Sequence, residues 1–175
     1  RCITSAMENV RELIEKKFSK LHSQRIVVFK ILEYGIGVKD GKIFCNDIEI
    51  EPRSLAEACN VDIRVVKSVA DNISNDQELS VVFSNLRSTL HMGQVAPIIG
   101  LGEIVIEAYD PRQSGIIHEV SEALSKHGIS IRQAVGDDPD FVKDPKLYII
   151  TDSPIPPEII PEIKKSNKIR GVTIY

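Results

Sequence analysis

Hydrophobic side chains recur every three or four residues through much of the first half of the chain, and this period predicts a mainly helical domain. The first helix is predicted over residues 7–21, with apolar positions Val10, Leu13, Ile14, Phe18 and Leu21. A second helix is predicted to run to Tyr34, with Ser23 as its N-cap and Gly35 just beyond its end. Three more helical segments are predicted at residues 52–59, 62–74 and 76–86.

An extended region interrupts these helices between residues 36 and 50. Asp40-Gly41 separates two short extended pieces and predicts a β-hairpin, because both turn positions must adopt positive φ. Asn46-Asp47 predicts another turn, and residues 48–50 a further extended piece. The first domain is therefore predicted to span residues 7–90, and we expect residues 1–6 to lie outside the fold.

The last third of the chain alternates between strands and helices. Strands are predicted at residues 103–109, 129–136, 146–152 and 168–175, and helices at residues 116–126 and just after Pro157. In the first strand Ile104 and Ile106 share one face while Glu103 and Glu107 share the other, which is typical of a half-buried strand. The order strand, helix, strand, strand, helix, strand is that of the ferredoxin-like fold, with both helices on one face of an antiparallel sheet.

The predicted fold class is α/β, in the α+β sense. A helical, helix-turn-helix-like N-terminal domain with a β-hairpin precedes a ferredoxin-like βαββαβ domain at residues 100–175. Residues 91–100 contain one proline and two glycines and are predicted to be the connection between the domains.

The helix-turn-helix interpretation depends on residues 52–73. Ala56 provides a small residue where two helices approach, and Asn60, four positions later, tolerates the positive φ of the turn. If the second helix of this pair enters the major groove of DNA, its outward side chains are candidate readers. These candidate DNA-binding residues are Arg64, Lys67 and Ser68. The alternative is an ordinary three-helix packing unit, or a module that binds protein.

The charge distribution weakens the DNA interpretation. Residues 1–90 carry 13 basic and 13 acidic side chains, and residues 91–175 carry 9 and 12. A DNA-binding domain usually has an excess of Lys and Arg. Residues 1–30 nevertheless carry seven basic and three acidic side chains, so the first helix is a candidate source of a basic stripe.

Composition and cysteine spacing point to the cytoplasm. The three cysteines, Cys2, Cys45 and Cys59, do not have the spacing of metal ligands, which favours free thiols in a reducing compartment. No apolar run approaches the roughly 20 residues needed to cross a bilayer, and no secretory signal is recognisable. Trp is absent and aromatic residues make up 5%, so we expect aliphatic cores.

The turn between the first strand and helix of the second domain carries the most specific motif. It contains Asp110, Gly115 and the aliphatic pair Ile116-Ile117, and Gly128-Ile129-Ser130 opens the second strand. In this order the segment resembles the ACT domain family, although Ser114 stands where the family often has Pro, and Ser130 where Asn is common. The resemblance implies a domain that binds an amino acid or a related small molecule, usually between paired copies, and regulates an attached module.

Backbone chemistry gives an independent reason to expect a ligand at this turn. A glycine before a helix allows close approach to the backbone, and the free N–H groups of the first helical turn attract a carboxylate. We expect Asp110 to meet an ammonium group. The candidate ligand-binding residues are Asp110, Gln113, Ser114, Gly115, Ile116, Ile117 and Ser130. The alternative is that Gly115 only forms the turn and Asp110 only caps backbone N–H groups.

The sequence predicts no enzyme active site, metal or cofactor. His118 and His127 flank a helix without a nucleophile beside them. The acidic cluster Asp137, Asp138 and Asp140 lacks the spacing of a calcium loop, so a solvated loop is the favoured interpretation.

Taken whole, the chain is similar to a family of archaeal predicted regulators of amino-acid metabolism, which join a helix-turn-helix-like domain to a C-terminal ACT domain. The matching segments are residues 37–50, 55–69, 115–131 and 171–175. The resemblance implies a ligand-responsive, transcriptional regulator that binds a small metabolite and DNA and forms a homodimer or higher oligomer. The rival interpretation is a regulatory subunit that docks onto a biosynthetic enzyme without binding DNA, and a third is an unrecognised enzyme.

Overall fold

A computed structural model of the chain describes residues 10–175. The chain divides between Thr89 and Leu90 into two compact units. Residues 1–6, the start of the predicted first helix at Met7, and Cys2 lie outside the described residues.

From Val10 to Thr89, the N-terminal unit contains five helices and a three-stranded sheet. The helices are α1 (Val10–Phe18), α2 (His22–Glu33), α3 (Pro52–Cys59), α4 (Ile63–Asn75) and α5 (Gln77–Ser84). The strands are β1 (Gly37–Lys39), β2 (Lys42–Cys45) and β3 (Ile48–Ile50), paired antiparallel in the order β1-β2-β3. Their buried side chains form one aliphatic core, to which all five helices contribute.

The predicted turns are confirmed in their backbone geometry. Asp40 has φ 52° and Gly41 φ 72°, so both positions of the hairpin turn are left-handed, and Asn46 at the next turn has φ 57°. The hairpin also packs on α4, since the Gly41 N–H donates to Ser74 Oγ at 2.8 Å. The predicted capping role of Ser23 is wrong. Leu21 occupies the N-cap position of α2, and Ser23 is exposed within its first turn.

The C-terminal unit has the predicted strand and helix order. Its elements are β4 (Gly102–Ala108), α6 (Ile116–Lys126), β5 (Ile131–Gly136), β6 (Lys146–Thr151), α7 (Ile159–Ile163) and β7 (Ile169–Ile174). The strands lie in the order β5-β6-β4-β7, and each neighbouring pair is antiparallel. This is the ferredoxin-like arrangement. Pro161 lies in the first turn of α7, where its missing N–H costs little.

Both helices of this unit cover the same face of the sheet. Ile104 and Ile106 of β4 and Ile149 of β6 are fully buried against apolar residues of α6 and α7. The helix residues that complete this core are Ile116, Val120, Ala123, Leu124, Ile159 and Ile163. Since side chains alternate along a strand, Glu103, Tyr148 and Ile150 point to the opposite face.

Residues 90–100, which we call the strap, were predicted to be an irregular connection between the domains. In the structure they contain helical turns. They belong to the C-terminal unit and contain two short 3₁₀ helices, Gly93–Val95 and Pro97–Ile99. The strap contacts β6 on the sheet face that the helices leave open. It therefore buries Glu103, which is 6% exposed although the sequence placed it on the polar face of its strand.

Two further expectations concern the thiols and the membrane. Cys45 and Cys59 are free thiols, as predicted, and burial raises the pKa of Cys59. None of the helices in residues 10–175 has the length and apolar character that a membrane crossing needs.

Asp76 joins α1 to α5 in the N-terminal unit and gives a test of this packing. Its carboxylate accepts from the N–H groups of Glu78 and Leu79, both at 3.0 Å, and from Lys17 Nζ at 2.6 Å. Burial opposes ionisation, but the Leu79 N–H and the Lys17 ammonium outweigh it and hold the Asp76 pKa below its usual range.

We expect Asp76→Ala to lower the free energy of unfolding by about 1–2 kcal/mol near neutral pH, because a helix cap and an ion pair are lost. Since the pKa of Asp76 is depressed by folding, its contribution is present at neutral pH and is lost as pH falls through the folded pKa. Urea denaturation at neutral and acid pH measures this. Asp76→Asn keeps a capping oxygen and should lose less; an equal loss in both variants would assign the effect to the ion pair alone.

Candidate functional site

A cleft of about 360 Å³ opens in the C-terminal unit beside the start of α6. Its apolar walls are Ile106, Ala108, Pro111, Ile116, Ile117, Pro145 and Leu147. Its polar and glycine positions are Gln113, Gly115, His118, Gly136, Asp137 and Lys146. The cleft thus lies where the ends of β4 and β5 and the beginning of β6 meet the loop before α6.

Gly115 forms the left-handed turn that begins α6 beside this cleft. It occupies the N-cap position of α6 with φ 88° and ψ 1°, and no side chain caps the helix. The first N–H groups of an α-helix have no partner within the helix, so they can bind an acceptor that enters the cleft. The partial positive charge of the helix start favours an anion at this place. Any side chain at Gly115 is strained by its positive φ, and a Cβ would lie 2.9 Å from Lys168 Nζ.

Hydrogen bonds and ion pairs hold the charged side chains near the cleft in fixed positions. Lys146 Nζ lies 3.4 Å from Glu107 Oε1, and this hydrogen-bonding carboxylate raises the pKa of Lys146. Arg170 contacts the other Glu107 oxygen at 3.3 Å. Asp137 Oδ2 accepts from the Lys146 backbone N–H at 3.0 Å, which fixes the carboxylate at the edge of the cleft. Asp137 and Lys146 therefore lie at the edge of an otherwise mostly apolar cavity, and the Lys146 ammonium is held by Glu107.

The structure brings together four of the seven predicted ligand residues. Gln113, Gly115, Ile116 and Ile117 line the cleft. Asp110 and Ser114 are exposed in the same loop but are not among the lining residues, and Asp110 Oδ1 accepts from the Arg112 N–H at 3.0 Å.

Ser130 does not belong to this site. It precedes β5, whereas the lining residue Gly136 ends it, so Ser130 lies at the other end of the strand. Its carbonyl accepts from the Asp152 N–H at 3.1 Å, a position beyond the last pair of the β5–β6 ladder. Ser130 therefore contributes a backbone hydrogen bond at the end of the β5–β6 pair, away from the cleft.

Sequence analysis missed the cleft residues contributed by β5 and β6. Gly136 pairs with Leu147 across these two strands, and Asp137 and Lys146 follow directly. The predicted strand order could have identified these residues, because antiparallel pairing brings the end of one strand beside the beginning of the next. The sequence favours a solvated loop for the acidic cluster that contains Asp137; among the described residues no group of three or more His, Cys, Asp or Glu could hold a metal ion.

The N-terminal unit contains the predicted pair of helices. Asn60 ends α3 with φ 52° and ψ 49°, the left-handed geometry expected for the turn. Asp62 then caps α4 by accepting from the Arg64 N–H at 2.8 Å. Leu55 and Ala56 of α3 are buried in the same core as Val66 and Val69 of α4.

The exposed side of α4 carries two of the three candidate DNA-binding residues. The side chain of Arg64 is 92% exposed, and Lys67 is also exposed. Ser68 is half-buried, and its hydroxyl accepts from Gln24 Nε2 of α2 at 3.2 Å. Ser68 therefore lies at the seam between α2 and α4 and is less exposed than Arg64 and Lys67.

The basic stripe expected from the first helix is partly neutralised. Lys17 Nζ contacts Asp76 and also Glu78 Oε2, the latter at 2.9 Å. Arg25 of α2 contacts Glu15 of α1 at 2.7 Å. These contacts join α1 to α5 and to α2.

The fold and the two surfaces define a class of two-unit protein, with a helix-turn-helix-like pair in one unit and a mostly apolar cleft in a ferredoxin-like unit. No protein-family model and no curated protein matches the chain. Among solved structures, it is similar to a transcriptional regulatory protein from Pyrococcus furiosus that is a member of the AsnC family. The two are 12% identical, with 97% of this chain and 88% of that chain covered and a TM-score of 0.26. That TM-score is too low to support a fold or a function, so both are inferred from the geometry of this chain.

Proposed function

We propose that the chain is a ligand-responsive regulator of transcription. Its C-terminal unit, which is similar in sequence to the ACT family, binds a small metabolite in the cleft. Its N-terminal unit contacts DNA through α4. The observation that carries the proposal is the cleft itself, because it opens on the uncapped first turn of α6 at the turn that the sequence marks as the ligand site.

The chemistry of the cleft favours an amino acid with an apolar side chain. The N–H groups that follow Gly115 supply donors for a carboxylate. We infer that Asp137, which lines the cleft, is the carboxylate available to the ammonium group in place of Asp110. Ile106, Ile117 and Leu147 supply apolar walls. A cavity of about 360 Å³ is within the size range of small-ligand sites.

The case for DNA depends on the turn geometry and on two exposed cations. The geometry of Asn60 and the Asp62 cap supports the assignment of α4 as the second helix of a helix-turn-helix pair, and Arg64 and Lys67 project from its first half. Recognition helices contact base edges with their N-terminal residues. A ligand in the cleft regulates such a protein only if it binds two arrangements of it with different affinity.

A second candidate function is that of a regulatory subunit that docks onto an enzyme. It is favoured by the balanced charge of residues 1–90 and by Asp62, whose carboxylate lies 3.9 Å from Arg64 Nε. A gel shift at low salt with the chain's own upstream DNA separates the two. Retardation supports the transcriptional regulator, and its absence with and without amino acids supports the docking subunit. We propose neither a catalytic role nor a cofactor.

Gly136→Val tests the cleft without straining the backbone. Gly136 lines the cleft, does not have positive φ, and has no neighbouring atom within 4 Å of the position that a Cβ would occupy. A valine there fills ligand space at a strand position that tolerates β-branched residues. In a thermal-shift screen of the twenty amino acids, we expect at least one to stabilise the parent, by about 2.7 kcal/mol at a hundred times its dissociation constant. Gly136→Val should lose this stabilisation.

Ala134→Val is the matched control, because it adds a similar side chain to the exposed position two residues earlier on β5, outside the cleft. It should keep the response. If no amino acid stabilises the parent, the ligand-binding proposal is wrong; if Gly136→Val responds as the parent does, the ligand binds elsewhere.

Arg64→Ala and Lys67→Ala test the DNA surface. If Arg64 reads a base, its loss should cost about 1–3 kcal/mol of binding and relax sequence preference. Lys67→Ala should weaken binding to all sequences alike and reduce the salt slope by about one unit. Fluorescence anisotropy with operator and scrambled duplexes at several salt concentrations measures both effects.

Lys164→Ala removes the same charge from an exposed position of the C-terminal unit and serves as the control. It should bind DNA as the parent does. Parent-like binding by both α4 variants would show that this helix is not the reader.

Self-association is expected for a two-fold DNA reader. Strands β5 and β7 are the edges of the C-terminal sheet, and an exposed sheet edge is a surface on which a second copy can pair. We expect sedimentation equilibrium at micromolar concentration to give at least a dimer. A monomer in the presence of a stabilising amino acid would contradict the two-fold arrangement.

A further inference from the structure

Two loops contribute walls to the cleft of the C-terminal unit, and an ion pair joins them. The loop before α6 places Pro111 and Gln113 in the lining, with Arg112 between them. The loop of residues 137–145, between β5 and β6, lines the cleft with both of its ends. Arg112 Nη2 lies 2.5 Å from Asp140 Oδ1 of that second loop. We call this ion pair the loop bridge.

Both residues of the loop bridge are held by their own backbone in the same way. Asp110 Oδ1 accepts from the Arg112 N–H at 3.0 Å, and Asp138 Oδ1 accepts from the Asp140 N–H at 2.8 Å. In each loop an aspartate therefore forms an Asx turn with the residue two positions later. Asp110 and Asp138 thus fix the backbone from which the two bridging side chains project.

The second loop is also fixed where it meets the sheet. The Asp137 N–H donates to the Lys146 carbonyl at 2.8 Å, and the Lys146 N–H donates to Asp137 Oδ2 at 3.0 Å. Near the end of the loop, Asp144 Oδ1 accepts from Arg170 Nη2 of β7 at 2.9 Å. With both ends of the loop held in place, the loop bridge positions the middle of the loop, around Asp140, relative to the loop before α6.

The separation of the two loops matters because the cleft is small. Its volume of about 360 Å³ is near the lower end of the range for small-molecule sites. The walls formed by Ile106 and Leu147 are fixed, because these residues pair across the β4–β6 ladder. The distance between the loops is therefore the dimension of the cleft that depends on side-chain contacts and not on sheet hydrogen bonds.

We propose that the loop bridge limits the size of the ligand side chain that the cleft accepts, so that Arg112 and Asp140 are specificity-determining residues. This inference rests on the proposed function, because it concerns the amino acid that binds in the cleft. With the bridge formed, the loops stay close and the cleft favours aliphatic side chains. Without the bridge, an aromatic side chain gains room, and a smaller one loses contact with the loop walls. Specificity is the difference between these two affinities.

The expected effect is moderate, because the ion pair is partly in water. The side chain of Arg112 is 61% exposed and that of Asp140 is 34% exposed. Exposed ion pairs contribute little, since solvent and salt screen them. We expect removal of the pair to change the ratio of dissociation constants for phenylalanine and the best aliphatic amino acid by about two- to fivefold, in favour of phenylalanine.

Isothermal titration calorimetry of the full chain with phenylalanine and the aliphatic amino acids measures this ratio. Arg112→Gln and Asp140→Asn each remove one charge and keep the N–H groups that Asp110 and Asp138 bind, so both should shift the ratio. Arg112→Asp combined with Asp140→Arg restores opposite charges and should return the ratio toward that of the parent. In the parent, about 1 M NaCl should shift the ratio in the same direction as the single variants.

Arg132→Gln is the matched control, because it removes the same charge from an exposed position of β5 outside the cleft lining. It should give the ratio of the parent. If the parent binds none of the twenty amino acids, the proposed function fails and the size limit fails with it.

Other outcomes overturn the loop bridge alone. If the parent binds amino acids but prefers phenylalanine to every aliphatic one, the size limit is wrong. If Arg112→Gln and Asp140→Asn keep the parent ratio, the ligand site stands and the bridge does not determine its specificity. A shift that the charge exchange fails to reverse would assign the effect to a single side chain and would also contradict the proposal.

Discussion

An antiparallel sheet has two faces, and the C-terminal unit has to cover both. The helices α6 and α7 bury Ile104, Ile106 and Ile149 on one face. On the other face Ile150 is only 1% exposed, although neither helix reaches that side. The strap supplies the missing cover, because its 3₁₀ turns contact β6 there. The need to bury this second face explains why residues that look like a connection fold onto the sheet.

The cleft and the strap are built on the same two central strands but do not overlap. The cleft uses Ala108 at the end of β4 and Leu147 at the start of β6, on the helix-covered side. The strap covers Glu103 near the start of β4 and Tyr148 of β6, on the opposite side. The β4–β6 ladder therefore connects the cleft to the strap-covered residues through continuous backbone hydrogen bonds.

The sequence predicted the elements better than the contacts between them. Periodicity and turn chemistry identified α6 to the residue and the left-handed positions at Asp40 and Asn60, because these are local properties of the chain. The half of the cleft made by Gly136 and Leu147 depends on pairing between strands and has no local signature. The same limit explains why Ser68 and Glu103 are more buried than their local patterns predict. Ser68 is outward by helical spacing, yet it lies against α2, and Glu103 alternates as a polar strand residue, yet a segment without regular period covers it.

The strap also determines what spectroscopy can observe in this chain. Tryptophan is absent, and all four tyrosines lie in the described part of the chain. Three of them, Tyr34, Tyr109 and Tyr175, are 58–69% exposed, whereas Tyr148 is partly covered and has its ring fixed against His91. A chiral environment around a fixed ring is what gives a protein its near-ultraviolet circular dichroism. The near-ultraviolet tyrosine band is consequently an optical signature of the covered sheet face.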